Sequence, residues 1–186
     1  PENEIPLVGT DEGVWGLSAE LRRGTPMLEV AHRSNGVDPW FLERLLNIVN
    51  MERRLLNEPL HPELLRDAKR LGFSDEMVGQ LADRLPEQIR AFRHENGIRP
   101  VYKMVDTCAA EFDAATPYFY STYEQENEAI AEPGRGAVVV GSGPIRIGQG
   151  IEFDYASVHA AWALQDAGLR SIMVNSNPET VSTDFD

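Results

Sequence analysis

Basic residues are scarce in this sequence. Its 186 residues include 17 Lys and Arg against 30 Asp and Glu, which gives a formal net charge of −13 at pH 7. A surface this acidic repels the phosphate backbone of nucleic acids and the anionic surface of a membrane. We therefore expect neither nucleic acid nor a membrane as a partner.

Cysteine and long hydrophobic runs are also lacking. The lone Cys108 cannot form an internal disulfide, which is typical of a protein in a reducing compartment. No apolar run approaches the roughly 20 residues that a membrane-spanning helix needs, and the first residues show no signal-peptide pattern. No second His or Cys lies at metal-site spacing. We expect a cytoplasmic protein without a bound metal.

Residues 1–97 show helical periodicity and almost no strand signal. Two helices are predicted within residues 14–33, separated by Gly24-Thr25-Pro26. A long amphipathic helix is predicted to begin with Asp38 as its N-cap and Pro39 at its first position. Its apolar stripe is formed by Phe41, Leu42, Leu45, Ile48, Val49, Leu55 and Leu56. Further helices are predicted to begin at His61-Pro62, Ser74-Asp75 and Leu85-Pro86. Residues 1–97 are thus predicted to form an all-α helical domain.

The next segment, residues 98–135, has a weaker pattern. Val101–Val105 is compatible with a short strand or an extended segment, and residues 117–123 are rich in aromatic side chains. We interpret residues 98–135 as an ordered connector, with the aromatic cluster used for packing.

The sequence pattern changes at residue 136, from helical periodicity to an alternation of strand and helix signals. A β-branched run predicts a buried parallel strand over residues 137–141, and a glycine-rich loop follows it. A helix ending at Ala167-Gly168 and a second strand over residues 171–175 complete the opening unit of a doubly wound sheet. Two strands do not make a stable sheet, and the chain neither begins with Met nor ends with a helix stop or a polar tail. We therefore expect it to be part of a longer protein.

The glycine loop fits neither common nucleotide fingerprint. A dinucleotide site needs a third glycine where this sequence has Arg146, and a phosphate-binding P-loop needs Lys and Ser or Thr where it has Gln149 and Gly150. An intact small nucleotide-binding protein is therefore a disfavoured alternative.

Several separated runs resemble the large subunit of carbamoyl-phosphate synthetases. Residues 143–155 and 175–184 resemble the start of that family's second synthetase half, and residues 101–112 and 120–124 resemble the segment before it. The resemblance implies a helical oligomerisation domain followed by the beginning of an α/β domain, the Rossmann-like pre-ATP-grasp domain. It covers nearly the whole chain and is most specific from about residue 99 onward.

The resemblance also implies an activity for the parent protein. Members are ATP-dependent ligases that make carbamoyl phosphate, for arginine and pyrimidine synthesis, from bicarbonate, two ATP and ammonia supplied by a glutaminase small subunit. ATP and Mg²⁺ or Mn²⁺ bind mainly in ATP-grasp portions, so we expect this fragment to bind no cofactor and to be inactive alone. Its partners would be the rest of the large subunit, the small subunit and further copies of itself. The alternative is a helical self-association module without a catalytic role.

No catalytic residue is expected in this fragment, but the resemblance implies a wall of an internal carbamate passage. The implied lining residues are Gly150, Glu152 and Glu179. Because carboxylates repel an anion, we hypothesise that these glutamates handle neutral carbamic acid or share a proton. The loop scaffold would comprise Gly141, Gly143, Arg146, Gly148, Asn175 and Asn177.

Each of these residues also has a purely structural interpretation. Glu152 and Glu179 also suit helix N-termini, where acidic side chains are favoured, or bonds to the backbone. Arg146 suits a surface ion pair, and Asn175 and Asn177 suit Asx turns. His159, on an apolar helix face, is expected beside the core. The sequence leaves these alternatives open.

Overall fold

The computed structural model describes residues 12–105, 118–131, 133–144 and 152–176, apart from the side chain of Phe153. The chain divides into two compact units, Pro1–Pro100 (unit 1) and Val101–Asp186 (unit 2). Within the described ranges, every helix is too short or too polar to serve as a membrane span.

All regular elements among the described residues of unit 1 are helices. In chain order its helices are α1 (Gly13–Arg23), α2 (Met27–Arg33), α3 (Pro39–Asn57), α4 (Pro62–Arg70), α5 (Asp75–Leu81) and α6 (Pro86–Glu95). The predicted all-α class of this region is confirmed, as is the break between the first two helices at residues 24–26.

The predicted helix starts are also confirmed, because the cap residues make the expected contacts. The carboxylate of Asp38 accepts a hydrogen bond from the backbone N–H of Trp40 at 2.8 Å, with Pro39 in the first turn. The hydroxyl of Ser74 accepts from the N–H of Met77 at 3.1 Å. Gly72, which follows the end of α4, has a φ of +90°, a left-handed conformation that favours glycine.

The first core cluster of unit 1 lies where α1 and α2 pack on α3. It consists of Leu17, Leu21, Val30, Leu42 and Val49. Burial of such side chains is the main favourable term in folding, at about 1.5–3 kcal/mol each. The predicted stripe of α3 is partly wrong, because Phe41 and Leu56 are 58% and 61% exposed.

A buried ionic cluster joins the later helices of unit 1. The carboxylate of Asp75 accepts a hydrogen bond from Lys69 at 2.9 Å and two from Arg93, at 3.1 and 3.3 Å. Arg93 also donates to the carbonyl of Ile98 at 3.2 Å. Burial alone would raise the pKa of the Asp75 carboxyl, but the hydrogen bonds and charges of Arg93 and Lys69 outweigh it and hold that pKa below its ordinary value. We name Asp75, Lys69 and Arg93 the Asp75 cluster.

Unit 2 begins with a two-stranded antiparallel sheet, so the predicted connector contains regular structure. Strand β1 (Val101–Met104) pairs with β2 (Phe119–Thr122), with Tyr102 opposite Ser121. The aromatic cluster in β2 was predicted to pack, yet Phe119 and Tyr120 are 39% and 53% exposed. The strand at residues 101–104 was one of the two interpretations left open by the sequence.

Side chains accept hydrogen bonds from backbone N–H groups on the outer edge of β1. The carboxamide of Asn127 accepts from the N–H of Tyr102 at 2.9 Å, and the carboxylate of Glu128 accepts from the N–H of Met104 at 2.7 Å. Lys103 bonds to Glu128 at 2.9 Å, and this contact holds the pKa of Glu128 below its ordinary value. An edge occupied in this way has fewer free groups with which another strand could pair.

The described residues from 136 onward form a strand, a helix and a strand in the predicted order. Strands β3 (Gly136–Val140) and β4 (Arg170–Val174) pair in parallel, and α7 (Glu152–Asp166) lies between them in sequence and packs on both. The predicted burial of the first strand is wrong on one face, because Val138 and Val140 are 61% and 76% exposed. Among the described residues, α7 is the element that packs on the two strands, whereas the run of valines is typical of a sheet covered on both faces.

Replacing Asp75 with Asn should destabilise unit 1. The change leaves the buried charges of Lys69 and Arg93 without their carboxylate, and breaking a buried pair typically costs about 3–5 kcal/mol. Urea unfolding of the 186-residue chain, followed by far-UV circular dichroism, measures the change. Asp67→Asn is the matched control, because Asp67 pairs with an exposed Arg54 at 3.4 Å and exposed pairs contribute little.

The same cluster predicts a pH dependence. Since the folded-state pKa of Asp75 is depressed, its contribution is fully present above the ordinary value of 3.8 and is lost as the pH falls through the folded pKa. The stability difference between wild type and Asp75→Asn should therefore shrink below about pH 4. A difference that stays constant down to pH 2 would contradict this assignment.

Gly79→Ala should destabilise the chain, although alanine ordinarily favours a helix by about 1 kcal/mol. A Cβ at Gly79 would lie 2.6 Å from the backbone carbonyl oxygen of Arg84, so the turn between α5 and α6 would have to move. The expected loss is about 1–3 kcal/mol in urea unfolding. Gln80→Ala, on the exposed side of the same helix, should not lower stability. A more stable Gly79→Ala variant would show that this close approach is relaxed at little cost.

Candidate functional site

The candidate site lies at the carboxyl end of the parallel strands, where ligand sites of α/β folds commonly form. Three segments meet there: the loop that leaves β3, the first turn of α7 and the residues that follow β4. The N–H of Gly141 donates to the carbonyl of Val174 at 2.8 Å, which continues the strand pairing to the start of this loop.

One side-chain amide joins the three segments. The carboxamide oxygen of Asn175 accepts from the N–H of Gly143 at 3.2 Å, and its nitrogen donates to the carboxylate of Asp154 at 3.0 Å. The hydroxyl of Ser142 donates to the same carboxylate oxygen at 3.4 Å. We name Ser142, Gly143, Asp154 and Asn175 the Asn175 clasp.

Sequence reasoning alone misses Asp154, whose side chain is 2% exposed. Its position in the first turn of α7 suits a carboxylate, since the N-terminal end of a helix is electropositive. The helical repeat offered a signal: Asp154 lies four residues before Val158, which is also buried, so both occupy the same face of α7.

Two glycines allow the close approach in the clasp. A Cβ at Gly141 would lie 2.6 Å from the amide nitrogen of Asn175. Gly143 has a φ of +81°, and a Cβ there would lie 3.1 Å from the hydroxyl of Ser176. Glycine at both positions therefore lets the side chains of Asn175 and Ser176 approach the loop backbone.

The structure brings together three of the predicted scaffold residues, Gly141, Gly143 and Asn175. Asn175 bonds to Gly143 and Asp154, which lie 32 and 21 positions away, and a local Asx interpretation does not include these contacts. The other predicted positions lie outside the described residues: Arg146, Gly148, Gly150, Asn177 and Glu179.

Glu152, a predicted passage residue, is the first residue of α7 and is exposed. This position agrees with the structural alternative, in which the carboxylate of Glu152 is stabilised by the electropositive N-terminal end of the helix. It also leaves the carboxylate accessible, so the two interpretations are compatible.

His159 was predicted to lie beside the core, but it is exposed on α7. Its ring makes edge contacts with Tyr155 and Trp162, with centroid distances of 4.3 and 5.1 Å. The three residues lie at successive helical turns, so their rings form a row along the helix. In the described part of the chain, no group of three His, Cys, Asp or Glu side chains could hold a metal ion.

Comparison with known proteins matches both regions of the chain. Residues 8–97 match the model of the carbamoyl-phosphate synthetase large chain oligomerisation domain, and residues 134–186 match that of the carbamoyl phosphate synthase preATP-grasp domain. The first match covers the described helices of unit 1, and the second covers the Asn175 clasp.

Two curated relatives extend the match across the chain. A carbamoyl phosphate synthase large chain of Thermomicrobium roseum is 57% identical over 180 residues, which is 96% of this chain and 16% of the relative. One from Thermoanaerobacter sp. (strain X514) is 49% identical over 194 aligned positions, covering 99% of this chain and 18% of the relative. The chain thus spans about a sixth of the length of these relatives. The chain belongs to the carbamoyl phosphate synthase large-chain family.

Proposed function

We propose that this chain is a segment of an ATP-dependent carbamoyl phosphate synthase, in which it supplies an oligomerisation domain and the start of the second synthetase half. The observation that carries the proposal is the 57% identity over 96% of the chain to a carbamoyl phosphate synthase large chain. The domain division at about residues 97 and 136 belongs to the same proposal, as does a cytoplasmic location.

The proposed reaction of the whole enzyme uses bicarbonate, ammonia released from glutamine by a small subunit, and two ATP. ATP supplies the phosphoryl groups that activate bicarbonate and then carbamate, and its sites with Mg²⁺ or Mn²⁺ lie in ATP-grasp portions beyond this sequence. The segment itself would hold geometry and guide an intermediate rather than transfer a phosphoryl group.

The proposed passage for that intermediate is lined by Gly150, Glu152 and Glu179. A glycine in the wall keeps the passage wide, since any side chain would narrow it. Carboxylates would repel anionic carbamate, which favours neutral carbamic acid as the species that passes. The exposure of Glu152 at the start of α7 supports an accessible carboxylate at this position.

Unit 1 is the proposed self-association domain, and α3 offers the contact. Trp40 and Phe41 are 57% and 58% exposed at the start of this helix, with their rings in edge contact at 5.0 Å. The guanidinium of Arg44 lies over the Trp40 ring at 5.2 Å. Exposed Trp, Phe and Arg side chains are enriched at protein interfaces, which fits the oligomerisation domain matched by residues 8–97.

Gly150→Phe in the full-length enzyme tests the passage. The ring should obstruct transfer between the two sites while each site keeps its own partial reaction. We expect bicarbonate-dependent ATP hydrolysis and phosphoryl transfer from carbamoyl phosphate to ADP to survive, with overall synthesis reduced on the order of a hundredfold. Gly150→Ala, which adds one methyl group, should be affected far less. Full overall synthesis in Gly150→Phe would sink the passage proposal.

Sedimentation velocity over about a hundredfold concentration range tests self-association of the 186-residue chain. We expect a concentration-dependent oligomer that shifts toward monomer in the double variant Trp40→Ser/Phe41→Ser. Leu56→Ser is the control, because Leu56 is similarly exposed at the other end of α3. A wild-type monomer at every concentration would leave the family unchanged and place the assembly contact elsewhere.

A further inference from the structure

The two edges of the β1–β2 sheet differ in what lies beside them. On β1, the backbone N–H groups of Tyr102 and Met104 point away from β2, since both donate to side chains of the segment that follows β2. The register sets Tyr102 opposite Ser121 and Met104 opposite Phe119. In an antiparallel pair, opposite residues have backbone groups that either face each other or both point away. The backbone groups of Phe119 and Ser121 therefore point outward from the far edge of β2.

Within the described part of the chain, no strand pairs with that outer edge of β2. A row of unpaired N–H and C=O groups along a strand is a template for another extended segment. A sheet of two strands is also only marginally stable, and further strands would stabilise it. The chemistry of this edge therefore specifies the kind of partner that it takes, which is a strand bound through backbone hydrogen bonds.

Charge distinguishes the two edges as well. Beside the outer edge of β1, the ammonium group of Lys103 lies 3.4 and 2.9 Å from the carboxylates of Glu126 and Glu128, and charged side chains keep other strands away from an edge. Residues 118–123 contain no charged side chain. Two copies of a chain with a formal net charge of −13 repel each other over most of their surface. An uncharged strand is a place where two copies approach without bringing like charges together.

The outer edge of β2 is complementary to itself. Across a two-fold axis, an antiparallel arrangement sets Phe119 of one copy opposite Ser121 of the other, and each such pair exchanges two backbone hydrogen bonds. This register uses both outward-facing residues of the strand. Tyr120 then lies opposite its own counterpart on the axis. Its side chain is 53% exposed, and a cross-strand pair of aromatic rings stabilises a sheet.

We propose that β2 pairs with β2 of a second copy of this chain, antiparallel across a two-fold axis at Tyr120, to form a continuous four-stranded sheet. The pairing gives unit 2 an assembly contact of its own, besides the proposed contact of α3 in unit 1. This inference rests on the proposed self-association of the chain and is independent of its proposed reaction.

Disulfide formation in the full-length large chain tests the register. In Tyr120→Cys, the two Cα atoms would lie about 4.5 Å apart across a non-hydrogen-bonded pair, a distance that a disulfide spans. Mild oxidation should give a covalent dimer, and mass spectrometry of its peptides should show position 120 linked to itself. Thr122→Cys is the control on the same face of β2. Its counterpart would lie about 13 Å away along the strand, so it should not link to itself.

Sedimentation velocity of the full-length large chain tests the backbone pairing without an added cysteine. Ser121→Pro removes an outward N–H of β2 and leaves the bonds to β1, since proline is tolerated where the N–H of an edge strand points outward. One hydrogen bond is lost from each copy, so we expect the dissociation constant to rise on the order of tenfold or more. Ser121→Ala retains the N–H and should associate as the wild type does.

Trp40→Ser/Phe41→Ser, measured in parallel, separates this contact from that of α3. A link from position 120 to itself, together with weaker association of Ser121→Pro, supports pairing of β2. A link from position 120 to another segment of the same polypeptide overturns it, because a strand within the large chain then occupies the edge. If only Trp40→Ser/Phe41→Ser weakens association, the pairing is wrong and the α3 contact stands. A wild-type large chain that stays monomeric would overturn both contacts.

Discussion

Where two parallel strands end, their backbone groups lose the hydrogen-bond partners that the sheet provides. In unit 2, one side-chain amide supplies part of the missing hydrogen bonding. The carboxamide of Asn175 accepts from Gly143 and donates to Asp154. An unpaired donor or acceptor at such a buried junction would cost about 1–3 kcal/mol. The local sequence follows from this contact: Gly141 must lack a side chain because a Cβ there would lie 2.6 Å from the amide.

Unit 1 uses a different polar centre for a similar purpose. The Asp75 cluster joins α4, α5 and α6 through one carboxylate, and Arg93 extends it to the carbonyl of Ile98. Well-packed apolar side chains would often give equal stability at such a place. The charged cluster adds a preferred relative orientation of the helices, since a guanidinium and a carboxylate bond strongly in few relative orientations. Apolar burial supplies the stability of these helices, and the ionic cluster fixes their arrangement.

The sequence predicts best those features that depend on neighbouring residues. Helix starts at Asp38 and Ser74 followed from capping chemistry, and the strand–loop–helix–strand order of unit 2 followed from periodicity. Contacts between remote segments were harder. Asn175 suggested a local turn by its residue type alone. Its bonds to Gly143 and Asp154 could not be predicted, because they form only when the strand ends are folded together. Exposure also depends on what surrounds an element, which is why Val138 in an apolar strand and Phe41 in an apolar stripe are exposed here.

Burial separates two carboxylates within the first turn of α7. Both ends of the Asn175 carboxamide and one oxygen of Asp154 are bonded within the chain. Glu152, two residues from Asp154, is exposed instead, because residues two apart in a helix point to different sides. The buried carboxylate therefore holds the strand ends of unit 2 together, and the exposed one is the member of the pair that stays accessible.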